Sequence, residues 1–159
     1  METTIHSLVD ATSLLRVGGM ISIITYPTSG PDEDAAVRLF VTCLGLLSSK
    51  TRTWEEAVSS FLASAPPPAI DDGGRGGDDA TMPAEIRTTE DCDNDDALAL
   101  ASASATASRE LIAQHVTRAM EMVVERVGGN QKKQTWRVSQ HDNLGMDRPP
   151  VLFTVTRLK

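Results

Sequence analysis

Val17–Gly30 reads VGGMISIITYPTSG: a glycine pair, a β-branched apolar run, then a Tyr-Pro turn. Met20 to Tyr26 predicts a strand, because β-branched side chains suit a pleated surface. Its almost continuous apolarity predicts an interior strand, covered on both faces and flanked by parallel neighbours. After Tyr26-Pro27, Gly30 and Pro31 turn the chain, and Asp32, Glu33 and Asp34 fill a first helical turn. Proline at the first helical position and acids at the positive end of the helix dipole mark that start. The helix runs on through Ala36, Val37, Phe40, Val41, Leu44 and Leu47, apolar over a wide face that must pack on a sheet. Strand, short turn and helix make half of a βαβ unit, so the fold class is α/β.

Upstream, Thr3 or Thr4 is placed to cap a helix through Ile5, Leu8, Val9, Thr12 and Leu15, which Gly18 and Gly19 end. Downstream, Thr53 to Ala63 has amphipathic helical spacing through Trp54, Ala57, Val58, Phe61 and Leu62. APPPAIDDGGRGGDDATMP (65–83) follows. Residues 64–107 read as an acidic, low-complexity, disordered insert, too poor in apolar surface to offset the entropy of ordering, roughly 1–2 kcal/mol per residue. Its Ala/Ser/Thr end is weakly helical at most. A second helix is predicted over Ser108–Val127, closed by Gly128-Gly129-Asn130. Thr135–Ser139 and Val151–Leu158 are short strands, the latter led in by Arg148-Pro149-Pro150. Residues 1–63 and 108–159 thus form one folded core interrupted by 64–107.

From Ser64 to Leu100 there are ten acids and two bases, a net −8, whereas the whole chain carries −7. The acidity therefore belongs to the insert, and the folded remainder is nearly neutral. Cys43 lies in an apolar helical run and Cys92 among aspartates, so no disulfide framework is expected. His6, His115 and His141 have no metal-ligand spacing with each other or with a cysteine. No G-x-S-x-G elbow marks a hydrolase. No apolar run approaches the ~20 residues of a membrane span, and Met1–Asp10 lacks signal-peptide organisation. An intracellular protein is expected, with no membrane and no metal. The only glycine cluster, Gly73, Gly74, Gly76 and Gly77, sits between aspartate pairs and reads as linker rather than a phosphate loop.

The order of motifs resembles the C-terminal half of the small class I methyltransferases of the rRNA methylase family, which depend on S-adenosyl-L-methionine (AdoMet). Some members methylate the wobble-uridine side chain of tRNA. The resemblance rests on Thr3, Thr4, Ile5, Leu14, Leu15, Gly18, Gly19, Tyr26, Pro27, Glu33, Ala36, Val37, Asn143, Pro149 and Pro150. It covers about Thr3–Leu47 and Thr135–Leu158. It implies part of a Rossmann-like sheet, mixed parallel and antiparallel, in which Met20–Tyr26 is the fifth of seven strands and the two terminal strands are the antiparallel pair at the edge. It also implies that AdoMet is bound by strands preceding this chain, so that this chain alone binds none. Where the family has Gly-His after Tyr-Pro, this chain has Thr28-Ser29, which removes an imidazole able to accept a proton near neutral pH.

The resemblance makes Tyr26, Thr28 and Ser29 the catalytic candidates, at the carboxyl end of a strand where open α/β sheets bind ligands. Thr3 and Thr4 are cleft-lining candidates for the cofactor, and Pro27, Asn143 and Pro149 are candidates for the substrate edge. Each has a plainer role open to it: strand-to-helix turn, helix cap, turn asparagine. Arg109, Arg118, Arg126, Lys132, Lys133, Arg137, Arg148, Arg157 and Lys159, with Trp136, suit an RNA-facing edge (rRNA or tRNA) or simply a solvated surface. Two other functions stay open. One is a non-catalytic module that pairs with another chain, a second copy or a missing N-terminal half, through an exposed sheet edge. The other is an unrelated small α/β domain, which would place Met20–Tyr26 at a sheet edge.

Overall fold

The computed structural model describes residues 1–28, 30–47, 49–64, 94–126, 135–142 and 150–159. In chain order these form α1 (Glu2–Leu14), β1 (Met20–Thr25), α2 (Pro31–Leu46), α3 (Trp54–Ala63), α4 (Asn94–Arg126), β2 (Trp136–Asp142) and β3 (Val151–Arg157). The fold is mixed α/β. The sheet has the order β1-β3-β2, and both pairings are antiparallel. β1 and β2 therefore run in the same direction on either side of β3 without touching.

This corrects the placement of Met20–Tyr26. Among the described residues β1 pairs only with β3, antiparallel, and has no parallel neighbour. Nor is it covered on both faces: Met20 and Ile24 are 62% and 59% exposed, while Thr25 is buried. Apolarity alone cannot tell a strand covered on both faces from one whose second face is open.

The other face of the sheet lies against α2. Val151, Phe153 and Val155 of β3 point into the core, as their strand alternation demands. Pro31 begins α2 and the three acids fill its first turn, as expected. Phe40, Leu44, Val37 and Val41 are among its fully buried side chains. Each contributes about 1.5–3 kcal/mol on burial. α1, α3 and α4 pack round α2 and each other, burying Ile5, Val9, Val58, Ile112, Val116, Met120 and Val123 in one continuous core.

α3 starts on a capping box. Thr53 Oγ1 accepts from the Glu56 N–H and Glu56 Oε2 accepts from the Thr53 N–H. α1, by contrast, has no side-chain cap, so neither Thr3 nor Thr4 serves as one. α4 is much longer than Ser108–Val127: residues 94–107, assigned above to the insert, are helical. Alanine is the strongest helix former, and it recurs through this run at 97, 99, 101, 103, 105 and 107. The rest of the expected insert, 65–93, lies outside the described residues.

Gly18 and Gly19 do more than stop α1, which ends earlier, at Leu14. The Gly19 N–H donates to the Arg16 carbonyl at 2.8 Å, closing a four-residue turn whose third residue, Gly18, has φ +79°. That is the pattern of a type II turn. The Gly18 N–H also donates to the Arg157 carbonyl at 2.7 Å, and the Arg157 N–H donates to the Gly19 carbonyl at 3.1 Å. Two glycines thus oppose one residue of β3, a bulge that needs glycine at its left-handed position. Arg157 adds a side-chain bond from Nη1 to the Leu15 carbonyl at 2.8 Å and lies 5.8 Å from the Trp136 ring centroid. The glycine pair therefore sets the register of β1 against β3. Gly18→Ala should cost about 1–2 kcal/mol, the penalty of a left-handed Cβ. Gly19→Ala should cost at least as much, since its Cβ would sit 2.8 Å from Leu15 Cδ1 and 2.9 Å from the Arg16 carbonyl oxygen. Urea unfolding midpoints check both.

Candidate functional site

The carboxyl end of β1 meets the amino end of α2 and the first turn of α1. Between them is a cavity of about 180 Å³ lined by Thr4, Ile23, Ile24, Thr25, Tyr26, Gly30, Glu33, Asp34 and Val37. Its floor is polar and tightly tied. Thr25 donates from Oγ1 to Asp34 Oδ1 at 2.5 Å, and Arg38 Nε donates to Asp34 Oδ2 at 2.6 Å. Asp34 is 7% exposed and Thr25 6%. A buried carboxylate is tolerable only when both oxygens are engaged, and here a hydroxyl and a guanidinium engage them. Arg38 also lies 5.4 Å from the centroid of Phe153, so one chain of contacts ties β1, α2 and β3 together.

At the rim, Thr4 Oγ1 donates to Glu33 Oε1 at 2.5 Å. Residues 29 apart in sequence thus close one side of the cavity, and Glu33 has no basic partner among the described residues. Tyr26 stands at the mouth, 58% exposed, with its carbonyl accepting from the Gly30 N–H at 3.2 Å. The arrangement can accept hydrogen bonds from a bound donor through Glu33 and present an aromatic face beside it.

The sequence candidates divide accordingly. Thr4 and Tyr26 come together in the cavity, whereas Pro27 and Thr28 follow Tyr26 in the turn and line no part of it. Thr3 is exposed and lines no part of the cavity. Ser29, Asn143 and Pro149 lie outside the described residues. Thr25, Asp34 and Arg38 were missed as site residues. The Asp34/Arg38 spacing of four on a helix was a readable signal for an ion pair, but nothing local joins Thr25 to Asp34.

A larger, open groove of about 640 Å³ runs between α3 and α4, lined by Val58, Leu62, Ala113, Thr117 and charged rim residues such as Arg118. It gathers no comparable hydrogen-bonded set, so the smaller cavity at the strand end is the better site despite its size.

The basic residues are less free than their count suggests. Arg109 Nη2 donates to the Phe61 carbonyl while its guanidinium lies 4.7 Å from the Phe61 centroid. Arg126 pairs with Asp10. Trp136, the aromatic of the expected RNA edge, is 4% exposed and belongs to the core. Arg118, Arg137 and Lys159 are exposed, whereas Lys132, Lys133 and Arg148 lie outside the described residues. Among the described residues no three of His, Cys, Asp and Glu gather to hold a metal ion, and no helix is long and apolar enough to cross a membrane.

No protein-family model, curated protein or solved structure matches the chain.

Two outcomes follow from these contacts. Asp34→Ala strands the Thr25 hydroxyl and the half-buried Arg38, and should lower unfolding free energy by roughly 1–3 kcal/mol, read by urea denaturation. The Cys43 thiol donates to the Trp54 carbonyl at 3.7 Å, and its pKa is raised to about 12, first by burial and then by the Glu55 carboxylate. The folded state therefore holds its proton more tightly than the unfolded chain, whose thiol titrates near ~8.5. Cys43 contributes stability below that pH and progressively loses it toward about 12. Cys43→Ala should flatten the alkaline limb of a stability–pH curve.

Proposed function

We propose that this chain carries the C-terminal strands of a class I methyltransferase acting on RNA, rRNA or tRNA, with AdoMet held mainly by polypeptide outside these 159 residues. The cavity at the carboxyl end of β1 is the observation that carries this reading. It brings Thr4, Tyr26 and Glu33, three residues of the motif order, from separate segments to the strand end where α/β folds bind ligands. The antiparallel pairing of the last two strands beside β1 is in keeping with it.

The residues present do not suffice for AdoMet. Ligand pockets run to about 300–1,000 Å³, and this cavity is about 180 Å³. No described strand is followed by a glycine-rich loop. The part left to this chain is to receive and orient the acceptor. Orientation supplies much of the acceleration when two reactants must be aligned. In this role Glu33, steadied by Thr4, accepts a hydrogen bond from the acceptor nucleotide, and Tyr26 offers a face on which a base stacks. The buried Thr25–Asp34–Arg38 set holds the turn between them in place.

Two titrations test this. Unmodified tRNA should shift the backbone amide resonances of Thr25–Thr28 and Glu33 in a nitrogen-15 NMR spectrum, with shifts that fade as salt is raised. Calorimetric titration with millimolar AdoMet should give only heat of dilution. Micromolar AdoMet binding, or RNA shifts confined to other surfaces, overturns the assignment.

A further inference from the structure

Seven large apolar residues are exposed among the described residues, and Val17, Met20, Ile24 and Tyr26 lie along or beside β1. Among the described residues no strand pairs with the side of its backbone away from β3. Arg157 N–H donates to the Gly19 carbonyl, which makes Gly19 and Arg157 a hydrogen-bonded pair of the β1–β3 ladder. Antiparallel alternation then turns the N–H and C=O groups of Ile21, Ile23 and Thr25 toward β3. Those of Met20, Ser22 and Ile24 point away from β3, to the side no described strand occupies. Natural edge strands are usually guarded by lysine, proline or an inward charge. β1 itself, Met20–Thr25, contains none of these; the Gly18–Gly19 bulge before it and Pro27 after it limit the edge to its six residues.

We propose that this edge pairs with the same edge of a second copy of the chain, antiparallel, about a twofold axis at Ser22. A twofold interface must be self-complementary, and this register is. It sets Met20 against the partner's Ile24, Ser22 against the partner's Ser22, and Ile24 against the partner's Met20. On the helix-covered face, Ile21 meets the partner's Ile23. Apolar side chains oppose apolar ones and the hydroxyl opposes a hydroxyl. The outward backbone groups of both strands are satisfied together. Sliding by one residue would oppose groups already bonded to β3. Sliding by two in one direction would set Met20 against the partner's Ser22 and Ile24 against the partner's Gly18, and in the other Ser22 against the partner's Ile24.

The four exposed apolar side chains offer on the order of 100 Å² each at usual burial values. Edge-to-edge pairing covers only the flanks of these side chains, so the two copies together bury less than roughly 800 Å² from this source, before the strand backbones are counted. A specific interface clears about 1,000 Å², so the pairing belongs to the small, weak class. It joins two three-stranded sheets into one of six strands. The inference rests on the β1 edge and needs no methyl transfer, but the dimer would cover Tyr26, which the proposed RNA site also uses. A parallel strand added by a complete enzyme would use the same backbone groups, so the two partners exclude one another on a given copy.

Sedimentation equilibrium of the full chain should show a monomer–dimer equilibrium with micromolar Kd. Ser22→Pro deletes an outward N–H without touching the β1–β3 ladder and should weaken the dimer at least tenfold. Ser22→Lys, which brings two like charges together at the axis, should do the same, and circular dichroism identifies which variant is folded. In a Cys92→Ser background, Ser22→Cys should oxidise to a linked dimer, because hydrogen-bonded antiparallel partners lie about 5.5 Å apart at Cα, within disulfide reach. Met20→Cys and Ile24→Cys should not link singly, and together they should. A chain monomeric at high micromolar concentration overturns the proposal, as does a dimer indifferent to the folded Ser22 variant or linked equally from all three positions. None of these failures touches the RNA and AdoMet titrations.

Discussion

The carboxylate of Asp34 is the point on which the architecture of the strand end turns. It is buried, and Thr25 and Arg38 donate hydrogen bonds to its two oxygens. Through Thr25 it holds the last residue of β1, and through Arg38 it reaches the ring of Phe153 on β3. The turn between Tyr26 and Gly30 is thereby fixed at both ends. Tyr26 and Glu33 both line the cavity because of that constraint, since neither side chain is itself buried.

A second constraint acts at the other end of β1. The bulge of Gly18 and Gly19 against Arg157 decides which strand residues face α2 and which face solvent. A slip of one residue would exchange the two faces. Ile21 and Ile23 would then lose their cover, and Ser22 would enter the core. The same bulge sends the backbone groups of Met20, Ser22 and Ile24 outward. One pair of glycines thus shapes both the packed core and the edge left available for association.

These two constraints put distinct chemistry at distinct places on one strand. Its carboxyl end carries hydroxyls, a carboxylate and an aromatic ring. Its edge away from β3 carries apolar side chains and amides that no described strand pairs. The helices behind it, α2 above all, supply the rigid backing that lets a six-residue strand keep both in register.

The sequence by itself determined the element order, because helix starts and strands are written in local chemistry: Pro31 with three acids for α2, amphipathic spacing from Thr53 for α3, the short apolar run after Pro149-Pro150 for β3. It also marked Tyr26 and Thr4 as site candidates. It misjudged β1, because an apolar strand reads alike whether a neighbour or solvent lies beyond it, and it underestimated the alanine-rich beginning of α4. Tertiary structure alone decided the strand order β1-β3-β2, the pairing of Thr4 with Glu33, the burial of Trp136, and the bond from Thr25 to Asp34. All four join segments whose closeness depends on how helices and sheet pack, and side-chain periodicity carries no record of that distance.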